Sequence, residues 1–226
     1  MKISPTLTEV KEIAKTGKYD ILPVSCEILS DFITPIEAMR ILQNVSTHCY
    51  LLESAQANEA WGRYTFLGYD PKLEINCIDG HMKLGKLSVE TENPSEYIRQ
   101  ILSEYKSPKF DYLPSFTGGL VGYFSYDYLG YKEKSIRGKA RDTEDFKDVD
   151  LMLFDKVIAF DNLCQKIILI ANMSLDAPET GYNKAIVEIK QLRELLMHGE
   201  KKQNMGGKLL GDVTPLFEKE QYCEMV

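Results

Sequence analysis

The sequence predicts an α+β fold in which mostly antiparallel β-sheets are flanked by helices. The β-like segments come as neighbouring hairpins with helical segments between the groups, an order that favours antiparallel pairing over alternating βαβ units. Asp79-Gly80, between two apolar runs, is the strongest short-range hairpin signal in the chain. At 226 residues, the chain is long enough for one large α+β domain or two small ones.

The helices are predicted from capping residues and from the helical spacing of apolar residues. The clearest start is Thr34-Pro35-Ile36-Glu37, with an N-cap threonine, a proline in the first turn and a glutamate three residues after the cap. The predicted helices span residues 8–15, 34–43, 93–105 and 177–198, and a last one begins near Pro215.

The strands are predicted from runs of apolar and β-branched residues. Pro23 interrupts the first run and indicates an edge strand. Gly118, Gly119 and Gly122 lie within one run; they predict close packing of a neighbouring backbone, with pocket lining as the alternative. The strands are expected at residues 19–29, 48–53, 63–67, 72–77, 82–84, 117–126, 149–160 and 166–171, and surface loops at 131–148 and 199–212.

Composition excludes several classes of function. A net charge of −7 and a pI near 5.1 oppose a nucleic-acid partner, because neutralising phosphates requires a basic face. No apolar run approaches the ~20 residues that cross a membrane, and the first residues lack the apolar core of a secretory signal, so we expect a cytoplasmic protein. Five cysteines without a C-x-x-C pair favour a reducing compartment, and three widely separated histidines argue against a zinc site.

Two adjacent segments carry the polar groups that a small-ligand site needs. Leu51-Leu52-Glu53-Ser54 places a carboxylate and a hydroxyl at the end of an apolar strand, and Trp61-Gly62-Arg63 leads into the next. Two such strands form a wall with an apolar floor, where Glu53 would accept a hydrogen bond from a ligand ammonium and Ser54 would add another. The structural alternative stays open: a solvated Glu53, a strand-ending Ser54 and an Arg63 paired with a surface carboxylate.

No catalytic residue is assigned from the sequence. No nucleophile stands in a recognisable context with an adjacent base, and no pair of carboxylates is placed for acid/base chemistry.

Together with the segment from Gly118 to Asp127, GGLVGYFSYD, these motifs resemble the N-terminal region of the anthranilate synthase component I family of chorismate-utilising enzymes. Order and spacing match over roughly residues 6–226, and three motifs in register make the signal specific. The resemblance implies that the complete enzyme converts chorismate and ammonia to anthranilate and pyruvate with Mg²⁺, the first step of tryptophan biosynthesis. It also implies that a glutamine amidotransferase subunit, component II, delivers the ammonia.

The same resemblance implies that the feedback inhibitor L-tryptophan binds at Leu52, Glu53 and Ser54, with Arg63 and Tyr123 as pocket support. In the family, the C-terminal half completes this pocket and binds chorismate and Mg²⁺.

That C-terminal half is missing from the 226 residues, and the last apolar stripe stops in mid-pattern. We therefore expect an N-terminal fragment, inactive alone and an incomplete part of a larger α/β sandwich. Residues 1–212 would form its regulatory and scaffold domain, and residues 213–226 would begin a truncated helix.

Three alternatives remain. In the first, the chain is the corresponding N-terminal region of aminodeoxychorismate synthase component I, which has the same architecture. The intact Leu-Leu-Glu-Ser motif favours the tryptophan pathway over this alternative. It would otherwise be a non-catalytic module that binds tryptophan or docks the glutaminase subunit. The last alternative is an unrelated α+β domain whose motifs match by coincidence.

Overall fold

A computed structural model describes residues 2–53, 62–135, 146–203 and 206–226. It confirms the α+β class, because all strand pairings described are antiparallel and helices flank the sheets. The strands are β1 (Ile3–Ser4), β2 (Ile21–Leu29), β3 (Cys49–Glu53), β4 (Tyr64–Tyr69), β5 (Leu73–Ile78), β6 (His81–Leu84), β7 (Leu87–Glu90), β8 (Gly119–Phe124), β9 (Val149–Phe154), β10 (Lys156–Asp161) and β11 (Lys166–Ser174).

The helix that follows Thr34 begins where its capping residues predict. Thr34 and Glu37 form a capping box, in which the Thr34 hydroxyl accepts from the Glu37 amide and the Glu37 carboxylate accepts from the Thr34 amide. A second capping box joins Thr6 and Glu9. The helices are α1 (Leu7–Lys15), α2 (Pro35–Val45), α3 (Pro94–Ser103), α4 (Pro178–His198) and α5 (Lys219–Met225), and a 3₁₀ helix spans Tyr126–Tyr131.

The strands form two sheets, and the chain passes directly from one sheet into the other at two places. The six-stranded sheet has the order β1-β2-β11-β10-β4-β3, and the five-stranded sheet has the order β7-β6-β5-β9-β8. The chain passes between the sheets from β4 into β5 and again from β9 into β10. The prediction of one strand over 149–160 is therefore wrong. The strand is interrupted at Asp155. The carbonyl of Asp155 accepts hydrogen bonds from the backbone amide and the side-chain Nδ2 of Asn172.

The six-stranded sheet buries one face against helices α1, α2 and α4. Alternate residues of its strands point into this core, as the period of two in a strand requires. The largest completely buried side chains of this core come from the sheet and from the helices: Leu22, Ile41, Leu42, Leu67, Ile158, Ile167, Leu169 and Ile189.

The other face of the same sheet is apolar and aromatic. Val157, Ala159, Ile168 and Ile170 form its buried centre. A connecting segment that precedes β8 packs partly over them through Leu113 and Phe116, and Tyr64 and Phe66 of β4 lie beside them. We call this surface the aromatic face.

The five-stranded sheet has its own core with α3 and the 3₁₀ helix. Ile75, Cys77 and Met82 pack against Ile98 of α3. The Asp79-Gly80 turn is confirmed, with φ of 48° and 83°, the left-handed values that a two-residue type I′ hairpin requires.

Gly122 in β8 confirms the prediction of close backbone packing, and Gly118, just before that strand, is also closely packed. A Cβ on Gly122 would lie 1.9 Å from the Asp150 carbonyl oxygen of β9, and one on Gly118 would lie 2.5 Å from the Asn172 side chain. Both have φ near 150° (153° and 149°), a conformation that other residues rarely adopt.

Several other predictions need correction. Strand β2 is second in its sheet rather than at the edge. On its outer side β1 covers only Ser25 and Cys26, so Pro23 is paired with β11 on one side and is not covered by β1 on the other. The last helix begins at Lys219, not near Pro215. The short strands β1 and β7 and the 3₁₀ helix were not predicted. Within the described ranges, none of the helices combines the length and the apolarity needed to cross a membrane.

Candidate ligand-binding site at the end of β3

The predicted site residues Leu52 and Glu53 lie at the end of β3, the outer strand of the six-stranded sheet. Leu52 is paired with Phe66 of β4, and Glu53 with Thr65. Because successive side chains of a strand point to opposite faces, Leu52 lies on the aromatic face and Glu53 on the other side. Leu52 is 49% exposed, so this part of the wall is open to a ligand.

Aromatic rings line the face that Leu52 shares. Phe66 packs edge-on against Phe116, with the ring centroids 5.6 Å apart, and lies 5.8 Å from the ring of Tyr64. Tyr50, two residues before Leu52, meets Phe154 edge-on at 4.7 Å. Such T-shaped pairs fix ring orientations and favour a preformed apolar wall.

Tyr50 contributes a polar group that no described residue satisfies. Its side chain is 9% exposed, and its hydroxyl has no hydrogen-bond partner among the described residues. Burial raises the pKa of Tyr50 well above its usual value, so the phenol stays protonated and neutral.

Arg63, the residue immediately before β4, is held by a buried carboxylate. Its Nε donates to Asp161 Oδ1 at 3.1 Å, and its Nη2 donates to Asp161 Oδ2 at 2.6 Å. The guanidinium also lies over the Tyr64 ring, with Cζ 4.9 Å from the centroid. The sequence suggested a surface carboxylate as the partner of Arg63, but the Asp161 side chain is only 4% exposed.

The charges of this pair stabilise each other. Burial alone would raise the pKa of the Asp161 carboxyl, but the hydrogen bonds from Arg63 and from the Cys164 amide outweigh it, and the pKa is lowered. The hydrogen bonds to Asp161 likewise raise the pKa of Arg63. Both groups therefore remain ionised at neutral pH.

The remaining predicted site residues are not assembled around Leu52. Ser54 and Trp61 lie outside the described residues. Tyr123 lies on β8, the outer strand of the five-stranded sheet, opposite Asp150 and 41% exposed. Leu52, Glu53 and Arg63 therefore share one pair of strands, whereas Tyr123 belongs to the other sheet.

Sequence reasoning missed Asp161 and Phe116, which are central to the local geometry. Asp161 was considered only as part of a hairpin turn, and Phe116 precedes the glycine-rich strand without any motif of its own. The contact between Arg63 and Asp161 spans 98 residues, so no local pattern could indicate it.

Another cavity lies elsewhere and is lined by charged residues as well as by apolar surface. It measures about 580 Å³ and is bordered by the chain crossings between the sheets and by the start of α4. Lys156 and Asp70, which line it, already pair with each other at 2.9 Å. Charges of both signs meet there, so the cavity favours no single class of ligand.

The described residues do not fit a Mg²⁺ site. Among them, no group of three or more histidine, cysteine, aspartate or glutamate side chains is placed to hold a metal ion.

Comparison with known proteins identifies relatives. A family model described as chorismate binding enzyme matches residues 47–226. The chain is 32% identical over 240 residues to anthranilate synthase component 1 of Acetivibrio thermocellus, which covers 98% of this chain and 47% of that protein. It is 35% identical over 196 residues to anthranilate synthase component 1 of Pseudomonas aeruginosa, with 83% and 39% covered.

A solved structure gives a similar but weaker match. The crystal structure of anthranilate synthase component I from Streptococcus pneumoniae TIGR4 aligns with 74% of this chain and 36% of that chain, at 25% identity and a TM-score of 0.48. The chain spans less than half the length of the two curated relatives named here.

Proposed function

Because this chain belongs to the family of chorismate binding enzymes, we propose that it is the N-terminal part of an anthranilate synthase component I and carries half of an L-tryptophan site. In the complete enzyme, chorismate and ammonia would give anthranilate and pyruvate. Residues 1–212 would be the regulatory and scaffold domain, and residues 213–226 would lead into the catalytic half.

One observation carries the proposal of a ligand site: an aromatic wall that remains open at Leu52. Phe66 and Tyr64 supply apolar surface for an indole ring, and Leu52 is half exposed beside them. An indole of this kind would gain most of its affinity from apolar contact, at about 25 cal/mol per Å² buried. Ser54 would then select for the amino acid by a hydrogen bond of ~0.5–1.5 kcal/mol, and Glu53, whose side chain lies on the other face, would accept from the ligand ammonium through its backbone carbonyl.

The partners follow from the same proposal. The glutamine amidotransferase subunit, component II, would deliver ammonia, and Mg²⁺ would be bound by the catalytic half. The protein would act in the cytoplasm. Its ligand would be the end product of the pathway, so Glu53 and Ser54 would act as sensors and not as catalysts.

An activity assay tests the first part of the proposal. The 226-residue chain is incubated with chorismate, ammonia and Mg²⁺, and anthranilate is followed by its fluorescence. No anthranilate is expected, because no catalytic residues are assigned to this chain. Robust turnover by the isolated chain would contradict the proposal.

A binding assay tests the second part. The amide resonances of Leu52 and Glu53 are followed during titration with L-tryptophan, and with L-leucine as a control. We expect weak, saturable shifts with L-tryptophan alone, because the aromatic wall forms only one side of the proposed pocket and buries only part of the ligand. Micromolar affinity would contradict the view that a second half completes the pocket, and identical shifts with leucine would contradict the aromatic site.

A further inference from the structure

We propose that Asp161 is a positioning residue for the ligand-binding end of β3 and that it acts through Arg63. The inference rests on the proposed function, because it concerns the same site. Asp161 lies on β10, two strands away from β3. It is too deeply buried, at 4% side-chain exposure, to touch a ligand itself.

The Asp161 carboxylate is fixed by its own turn. Oδ1 accepts hydrogen bonds from the backbone amides of Leu163 at 3.1 Å and Cys164 at 3.0 Å. These bonds and the bidentate bond to Arg63 occupy both oxygens. A carboxylate held in this way presents a fixed, planar acceptor to the guanidinium, and a bidentate pair sets orientation as well as distance.

The same turn also holds the backbone at the start of β4. The Asn162 amide donates to the Arg63 carbonyl at 2.9 Å. Its side-chain Nδ2 donates to Thr65 Oγ1 at 3.2 Å, and Thr65 is completely buried. Both the main chain and the side chains therefore tie the start of β4 to the turn after β10.

The end of β3 depends on that part of β4. β3 is the outer strand and pairs only with β4 among the described strands. Leu51 still packs against the helical core, but Leu52 and Glu53 beyond it are exposed. Their pairing with β4 therefore determines where Leu52 and Glu53 lie, and Glu53 is opposite Thr65.

A matched ion pair provides the control. Lys166, opposite Asp161 on β11, pairs with Glu27 of β2 at 2.9 Å. It belongs to the same turn but connects it to the strand on the other side, away from β3. Exposed pairs of this kind contribute little to stability. Breaking it with Lys166→Gln should therefore leave the ligand site unchanged.

The test uses the 226-residue chain with Arg63→Lys, Asp161→Asn, both together, and Lys166→Gln. Each variant is titrated with L-tryptophan by NMR, and its amide hydrogen exchange and thermal unfolding midpoint are measured. We expect Arg63→Lys and Asp161→Asn each to raise the dissociation constant for L-tryptophan about tenfold. In the double variant, the loss of binding free energy should be smaller than the sum of the two single losses. Amides of the β3–β4 ladder should exchange at least about tenfold faster, and Lys166→Gln should match the unmodified chain.

The outcomes separate this inference from the proposed function. A purely structural role would lower the unfolding midpoint but leave the affinity and the β3–β4 exchange of the folded protein unchanged, and that result would overturn the inference. If Asp161→Asn does not fold, Arg63→Lys decides, since it keeps the charge and loses the bidentate geometry. If the unmodified chain shows no response to L-tryptophan, the proposed function fails, and the exchange data alone then support or overturn the positioning role.

Discussion

The ring of Tyr50 lies directly against the backbone of Gly68, its partner across the β3–β4 pair. A Cβ on Gly68 would lie 2.2 Å from Tyr50 Cε1, so no side chain fits there. The glycine in β4 thus makes room for the aromatic ring that precedes Leu52. This contact places Tyr50 on the aromatic face but leaves its hydroxyl without a hydrogen bond from the described residues.

Replacing Tyr50 by phenylalanine should therefore not destabilise the protein. A buried hydroxyl without a partner costs roughly 1–3 kcal/mol of desolvation, which Tyr50→Phe removes. We expect the free energy of unfolding to stay equal or rise by about 1 kcal/mol in urea titrations. Tyr182→Phe is the control, because the buried Tyr182 hydroxyl donates to the Pro5 carbonyl at 3.0 Å and its removal should cost about 1 kcal/mol. Similar losses in both variants would show that Tyr50 has a partner.

Gly122→Ala should destabilise the chain more than Gly119→Ala. Both glycines have positive φ, 153° and 140°, so alanine carries backbone strain of ~1–3 kcal/mol at either position. Only at Gly122 would the new Cβ meet a backbone atom, the Asp150 carbonyl oxygen; at Gly119 the nearest atom is Phe116 Cε2, at 3.7 Å. We expect a further loss of at least ~1 kcal/mol for Gly122→Ala in chemical denaturation. Equal losses would mean that β9 moves aside freely.

The Arg63–Asp161 pair should make stability depend on acid pH. The folded-state pKa of Asp161 is lowered, so the unfolded chain, with a pKa of about 3.9, takes up the proton first as pH falls. The stabilisation is complete above that value and is lost as pH decreases through the folded pKa. The difference in unfolding free energy between the unmodified chain and Asp161→Asn should be constant from about pH 5 to 7 and shrink below about pH 4. A difference that persists unchanged at low pH would exclude this contribution.

Ser54→Leu tests the sensor role in the complete enzyme that the proposed function implies. On the proposed function, the larger apolar side chain would remove the hydrogen bond of Ser54 to the bound amino acid and would occupy space next to it. We expect inhibition by L-tryptophan to be lost while uninhibited turnover stays within about twofold, since the two processes use different contacts. Ser88→Leu, on the exposed part of β7, should change neither quantity. Joint loss of inhibition and turnover in Ser54→Leu would indicate a structural residue.

Local chemistry made part of this structure predictable. The capping box at Thr34 and Glu37 and the turn at Asp79-Gly80 are satisfied by residues within four positions of each other, so their patterns are readable in the chain. The glycines in and just before β8 also indicated that another part of the chain packs closely against them, but they did not indicate which part. The candidate residues Leu52, Glu53 and Arg63 were found from their motifs, and the family followed from those motifs in order.

The sequence by itself determined the α+β class, the starts of helices α1 to α4 to within one residue, the tight hairpin and the pair of strands on which a ligand site would lie. Each of these depends on local propensity or on a short pattern. Tertiary structure alone decided that residues 149–160 divide between two sheets and that Arg63 faces a buried Asp161, 98 residues away. It also placed Tyr50 against Gly68 and Tyr123 on the other sheet. These features depend on which strands become neighbours, and that choice is made by burial of apolar faces across the whole chain rather than by any segment of it.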